Sequence, residues 1–360
     1  MSENSLLTIQ HVDTAFKVNG QFYNAITDVS LDLYPDEILA IVGESGCGKS
    51  TLATSVIGLH NMSSTEISGS IVYHQRVVKE DGSVSIKDHE LVGMSADEMN
   101  ALRGNDMGMI FQDPLAALNP LMRIGDQIKE NLDFHTTMSE EEKHARVIEL
   151  LDQVGIPKPE RVARMYPHEL SGGMRQRVII AIAVACKPDV IIADEPTTAL
   201  DVTIQAQILK LIKDLQKEYN YTIVFITHDL GVVANIADRV AVLYAGQIIE
   251  FANVEELFYD PRHPYTWALL SSLPQLAERN TKLFSITGTP PSLYNKIIGD
   301  PFAPRNQYCL KIDTLEEPPM FKVTDTHYAK TWLLDPRAPK TEKPEAIQNI
   351  HEKLLKAYNL

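Results

Sequence analysis

One eight-residue segment restricts the possible folds of this chain more than any other: Gly43-Glu44-Ser45-Gly46-Cys47-Gly48-Lys49-Ser50 fits the pattern GxxxxGK[ST]. An apolar run, Ile38-Leu39-Ala40-Ile41-Val42, leads into it, and helix-forming residues from Thr51 to Leu59 follow. The reading is a buried strand that delivers the loop and a helix that leaves it. Glycines let such a backbone turn tightly and aim its N–H groups at phosphate oxygens. The helix behind adds its positive end. Lys49 is suited to bridge β- and γ-phosphates, and the Ser50 hydroxyl to coordinate Mg²⁺. Gly43, Ser45, Gly46, Cys47, Gly48, Lys49, Ser50 and Thr51 are therefore the candidate nucleotide contacts. The loop points to nucleotide binding, but kinases, GTPases and many ATPases share it.

A second element narrows the chemistry. Val190-Ile191-Ile192-Ala193 is a β-branched run that ends in Asp194-Glu195. A core strand there would bring both acids to the sheet edge beside the loop. Asp194 is the candidate Mg²⁺ holder, and Glu195 the candidate that orients and deprotonates an attacking water. Alone, acids after a strand could merely cap the next helix.

The surrounding pattern is α/β. Strands are expected within residues 6–42, a hairpin region over 69–92 turning at Asp81-Gly82, helices from about 95 to 165, a helix over 203–218, and a parallel strand at 222–227. Ser139 and Glu142 fit a capping box. Alternating strands and helices imply a parallel sheet. Near Phe258 the composition shifts to a proline-rich stretch that includes Pro261, Pro264, Pro274, Pro290, Pro291, Pro301, Pro304, Pro318 and Pro319.

Composition sets limits on partners. The formal net charge is -15 over 360 residues, which argues against a nucleic-acid partner. The apolar stretch Val178 to Cys186 falls short of the roughly 18 residues a membrane span needs, so a membrane role would run through partners. Cys47, Cys186 and Cys309 are far apart, form no CxxC pair and fit a reducing compartment.

Leu170-Ser171-Gly172-Gly173-Met174-Arg175-Gln176-Arg177 resembles the LSGGQ signature of ATP-binding-cassette (ABC) ATPases, with Met174 in place of the usual glutamine. Its Ser-Gly-Gly can open a helix whose N-terminus caps a γ-phosphate. Other segments follow in the family's order. The resemblance implies a Q-loop glutamine at Gln112, touching Mg²⁺ and water, and a D-loop Asp201 that crosses a dimer interface. It implies a switch histidine at His228 on the γ-phosphate, and an adenine-stacking aromatic at Phe16, with Tyr23 as runner-up. In such a dimer the phosphate bound at one chain's loop is capped by Ser171, Gly172 and Gly173 of the facing chain. The implied fold is α/β: a P-loop NTPase ABC nucleotide-binding domain with RecA-like core, antiparallel β subdomain and helical subdomain (about 95–180). It would span residues 1–258, followed by a C-terminal extension over 259–340 and a helical tail over 341–360.

Arg103-Gly104, Ile110-Phe111-Gln112-Asp113-Pro114, Leu118-Asn119-Pro120 and the segment from Asp260 to Pro274 resemble the oligopeptide/dipeptide/nickel-importer branch. That resemblance implies ATP hydrolysis driving oligopeptide import. It implies a homologous second ATPase subunit, two membrane permeases, an extracytoplasmic peptide-binding protein reached through them, and a peripheral place on the cytoplasmic face of the membrane. A dipeptide or nickel importer, or a soluble non-transport ABC ATPase, are the alternatives. The same branch often holds an iron–sulfur cluster in a cysteine-rich tail. Here Asp300, Asn306, Asp313 and Lys330 fall on the cysteine positions, and Cys309 lies between them. One thiol does not satisfy a four-ligand cluster, so ATP and Mg²⁺ are expected and an iron–sulfur cluster is not. Phe302, Trp332 and Leu333 are expected to supply the packing a cluster would otherwise give.

Overall fold

The computed structural model describes residues 5–79, 81–198, 200–273, 286–295 and 297–348. Pro274, Ala199 and most of the expected C-terminal helical tail lie outside these residues; within 341–348 a single 3-10 turn, Glu345–Ile347, is present.

Strands β1 (Leu7–Val18), β2 (Gln21–Leu33), β4 (Thr65–Val78) and β5 (Val84–Glu90) form an antiparallel sheet in the order β2-β1-β4-β5. The second sheet carries the nucleotide motifs. Its parallel centre runs β9-β3-β8-β7-β6, from β3 (Ile38–Val42), β6 (Met107–Ile110), β7 (Val190–Asp194), β8 (Thr222–Thr227) and β9 (Arg239–Tyr244). Every residue of β3, β7 and β8 is buried, as expected for β-branched strands covered on both faces. β10 (Gln247–Asn253) then turns back antiparallel to β9.

β6 is a correction to the sequence reading, which took residues 95–165 as helical throughout. Met107-Gly108-Met109-Ile110 adds to the free edge of β7. At Gly108 a Cβ would sit 2.4 Å from the Ala183 carbonyl oxygen, so a larger residue could not hold this strand against the helix behind it.

The helices follow the expected patterns. α1 (Lys49–Val56) leaves the phosphate loop. α2 (Ala96–Leu102) and α5 (Glu140–Gln153) both begin with complete capping boxes, the latter from Ser139 and Glu142. With α4 (Ile124–His135) and α7 (Gly172–Ala183), α5 packs around Ile128, Leu132, Val147, Leu150, Leu151 and Val178, and the one-turn helices α3 (Pro114–Ala117) and α6 (Pro159–Val162) fill the connections. α8 (Val202–Tyr219) and α9 (Leu230–Ile236) flank β8 in sequence and place Ile208, Ile212, Val232 and Ile236 in the same core.

The C-terminal extension is fused to the main sheet. α10 (Val254–Tyr259) leads into it, α11 (Pro264–Ser271) is its first helix, and at the sheet edge strand β12 (Tyr328–Ala329) adds to β10 and β11 (Phe321–Lys322) to β12. Glu250 of β10, fully buried, is the joint. Its carboxylate accepts from the Arg262 and His263 amides at 2.6 and 3.0 Å and lies 2.8 Å from His327 Nε2. A buried carboxylate is tolerable only with such partners. Phe302 packs at 5.3 and 5.4 Å from the Tyr244 and Tyr265 rings and is buried. Trp332 and Leu333 are only half-buried, so the extension's packing rests on Phe302, Tyr265, Trp267 and Leu270 more than on them.

Of the positions aligned with the cluster ligands, Asp300, Asn306 and Asp313 are buried, and the lone thiol, Cys309, is exposed. Two carboxylates, an amide and a lysine do not make a thiolate cage, so this donor set does not fit an iron–sulfur cluster. Burial pushes the Asp300 carboxyl up to about 7; Asp313 and Glu317 add to the rise, while the Phe302 amide and Lys330 oppose it. The folded chain therefore keeps this proton at pH values where the unfolded chain has lost it. Stability falls as pH rises from the ordinary aspartate value to about 7, on the order of 4 kcal/mol across that window. Asp300→Asn mimics the protonated form and keeps the oxygen that accepts from the Phe302 amide. Thermal denaturation at pH 5 to 8 should show a declining midpoint for the parent and a flatter profile for Asp300→Asn; parallel profiles would refute the assignment.

Candidate functional site

The site lies along the carboxyl ends of four adjacent parallel strands. In the order β3-β8-β7-β6 these ends release the Gly43 loop, His228, the Asp194-Glu195 pair and Gln112. Segments more than a hundred residues apart thus meet at the edge where open α/β sheets bind ligands.

The loop is held tightly. A Cβ on Gly43 would fall 2.2 Å from the Leu243 carbonyl oxygen, and Gly48 sits at φ +109°, a conformation that only glycine adopts at low cost. Lys49 is 4% exposed. Its ammonium donates to the Gly43 and Glu44 carbonyls at 2.9 and 3.0 Å and lies 3.7 Å from Glu195 Oε1. The cation is already aimed into the loop and rests on acceptors that a phosphate would replace. Ser50 Oγ donates to Asp194 Oδ1 at 3.0 Å. A hydroxyl and a carboxylate in contact are hard oxygen donors of the type Mg²⁺ takes, so the pair fits that ion.

Glu195 is the hub. Its Oε2 accepts from Thr198 Oγ1 at 2.8 Å and Gln112 Nε2 at 3.2 Å, and lies 3.3 Å from His228 Nδ1. Its backbone has φ +45°, rare for a residue with a long side chain and a store of local strain. Burial pushes the Glu195 carboxyl up, but the Thr198 hydrogen bond and the charges of His228 and Lys49 outweigh it and hold it below the usual carboxylate range. Asp194 moves the other way, because burial dominates despite the Ser50 hydrogen bond. The two neighbouring acids are thus electrostatically distinct. Thr198 escaped the sequence reading; its place three residues after Glu195 was the available signal.

Other candidates lie elsewhere. Ser171 caps α7, its Oγ accepting from the Met174 amide at 3.3 Å, and both Ser171 and Gly172 are exposed. At Gly173 a Cβ would come 2.7 Å from the Ile204 side chain, so that glycine also lets α7 pack against α8. Asp201 caps α8 through bonds from the Thr203 and Ile204 amides. Neither Ser171 nor Asp201 has a hydrogen bond to the phosphate loop among the described residues. Phe16 and Tyr23 are direct cross-strand partners, so both aromatics share one face of the hairpin. The Phe16 ring meets His60 at 5.3 Å, and Tyr23 meets Tyr294 of the extension at 5.0 Å.

Comparison with known proteins agrees with this geometry. The family described as "ABC transporter" matches residues 26–198, and "Oligopeptide/dipeptide transporter, C-terminal region" matches 249–312. The oligopeptide transport ATP-binding protein OppD of Bacillus subtilis is 52% identical over 98% of this chain and 96% of its own. AmiE of Streptococcus pneumoniae, named as an oligopeptide transport ATP-binding protein, is 50% identical over the same shares. The dipeptide transport ATP-binding protein DppD of Lactococcus lactis is 49% identical over 96% of each chain. Among solved structures, the ATP-binding cassette MJ0796, described as a dimer in a post-hydrolysis state with ADP and Pi, superposes with a TM-score of 0.58. It shares 28% identity and covers 69% of this chain and 98% of its own. The chain belongs to the ABC transporter family, as an ATP-binding subunit that carries the oligopeptide/dipeptide transporter C-terminal region.

Proposed function

We propose that this chain is the ATP-hydrolysing subunit that powers import of oligopeptides through an ABC transporter, with dipeptides as the second reading because the Lactococcus lactis relative is named for them. The observation that carries the catalytic part is the meeting of Lys49, Gln112, Thr198 and His228 around the Glu195 carboxylate.

The triphosphate of ATP lies on the loop from Gly43 to Thr51, with the adenine against the hairpin face of Phe16 or Tyr23. Lys49 leaves the Gly43 and Glu44 carbonyls for the β/γ-phosphates. Ser50 and Asp194 would hold Mg²⁺, with Gln112 close by, and the ion when bound neutralises charge on the phosphate oxygens. Glu195 takes a proton from the attacking water, whose oxygen bonds to the γ-phosphorus as the bond to the β–γ bridging oxygen breaks. Gln112 and His228, both on Glu195 Oε2, orient that water and the γ-phosphate. A homologous second ATPase subunit supplies its own signature segment, so that Ser171, Gly172, Gly173 and Asp201 of this chain act at the facing site. Closure follows because ATP binds the closed pair better than the open one. Among the described residues no helix is long and apolar enough to cross a membrane. The likeness to oligopeptide transport ATP-binding proteins supports transport through two permeases and an extracytoplasmic binding protein, with this chain on the cytoplasmic face.

Ser171→Arg tests the shared site. A bulky cation at the exposed opening of α7 blocks a facing γ-phosphate but lies away from this chain's own loop. Hydrolysis by the complex should fall at least about 10-fold, with ATP binding by the isolated chain within about 2-fold of the parent. An equal loss of both would argue against the two-chain sandwich.

A further inference from the structure

The C-terminal extension reaches back to the phosphate loop, and among the described residues its hydrogen bonds to the loop converge on one residue. Glu44 is the second residue of that loop. Its N–H donates to Tyr265 Oη at 2.8 Å. Its carboxylate takes the Arg305 guanidinium as a fork, with Nη1 to Oε2 at 2.5 Å and Nη2 to Oε1 at 2.9 Å. Its carbonyl oxygen accepts from Lys49 at 3.0 Å. Amide, side chain and carbonyl of one loop residue are thus all engaged, two of them by the extension and the third by the loop's own cation.

Both extension groups are fixed before they reach the loop. The Arg305 side chain is 4% exposed. Its Nε donates to the Thr287 carbonyl at 2.9 Å and its Nη1 to Tyr244 Oη at 3.2 Å, and the group lies against the Tyr244 and Phe302 rings. Tyr265 is fully buried and packs 4.6 Å from the Tyr244 ring. A guanidinium held this way has little freedom to follow the loop, so the loop must conform to it. The contact also bridges 261 positions of sequence, so it depends on the extension being docked.

We propose that the extension sets the conformation of the phosphate loop through Arg305 and Tyr265, which act as positioning residues for nucleotide binding at Lys49. The proposal rests on the reading of Gly43 to Thr51 as the ATP site. A merely structural role would make the Arg305–Glu44 pair a fastener for the extension. Its loss would then lower thermal stability and leave ATP affinity alone.

The test is a double-mutant cycle on ATP affinity in the assembled transporter complex, read by displacement of a fluorescent ATP analogue with unlabelled ATP. Arg305→Gln and Glu44→Gln should each weaken ATP binding by about 10-fold, and the double variant should be no weaker than either alone. Arg305→Lys should restore part of the loss, because an ammonium can satisfy one carboxylate oxygen. Tyr265→Phe, which keeps the ring and removes the hydroxyl, should weaken binding by about 3-fold. ATP affinities within about 2-fold of the parent for folded Arg305→Gln and Glu44→Gln, or losses that multiply in the double variant, would overturn the proposal. Should Arg305→Gln fail to fold, Glu44→Gln and Tyr265→Phe decide by the same criterion. A parent complex that binds no ATP would overturn the nucleotide site itself, an outcome distinct from a parent that binds ATP and variants that bind it equally.

Discussion

Glu195→Gln in the assembled complex is expected to slow ATP hydrolysis by about 10²–10⁴-fold while ATP still binds. Glutamine keeps the shape of the side chain and an oxygen that can accept from Thr198 or Gln112, so the site should stay assembled. It removes the negative charge that His228 and Lys49 now face, and with it the acceptor for the water's proton. The ATP-bound pair of ATPase subunits should therefore accumulate. Steady-state turnover measured beside nucleotide occupancy separates these effects. Rapid turnover in this variant would mean that another group activates the water.

Lys49→Ala is the second large effect. Its ammonium is buried and rests on two loop carbonyls that hold it in the direction of an incoming phosphate. A charge-assisted contact of that kind contributes about 1.5–3 kcal/mol, so ATP affinity should drop roughly 10–100-fold and hydrolysis should fall further. The substitution also removes one of the charges that keep the Glu195 carboxyl low. Equilibrium binding and turnover by the complex measure both consequences. Near-normal values would refute the phosphate-loop assignment.

The parts of the site that were legible in the sequence are those whose chemistry is written in consecutive residues. The loop from Gly43 to Ser50 and the strand ending at Asp194-Glu195 each contain their own backbone instructions, and the structure brings them together as Ser50 and Asp194 in contact. Gln112 and His228 were legible only through their order in a family pattern, since a single glutamine or histidine after a strand says little alone. The strand Met107–Ile110 was hidden because four residues with a glycine show no alternation. Its identity depends on the free edge of β7, which is a tertiary fact. Asp201 caps α8 within this chain, a role that no motif displays. The extension was the least legible. Its prolines announced a loop-rich segment, but the docking of Glu250 against Arg262, His263 and His327, and the grip of Arg305 on Glu44, join residues that periodicity cannot relate.

These contacts change how the extension is understood. Beyond its role as a proline-rich appendage, it completes the sheet edge at β12, buries Phe302 beneath the loop's neighbours and touches the phosphate loop. The extension and the phosphate loop therefore share one continuous packed body. Changes in the extension are expected to register at the ATP site as well as in stability.

A Glu195-centred site that hydrolyses ATP in order to move peptide couples its turnover to peptide. The most direct measurement is ATP turnover by the complex reconstituted in vesicles with its permeases and peptide-binding protein, with and without peptide. Peptide should stimulate turnover, and Glu195→Gln should abolish it. Turnover indifferent to peptide, or retained in Glu195→Gln, would contradict this coupling.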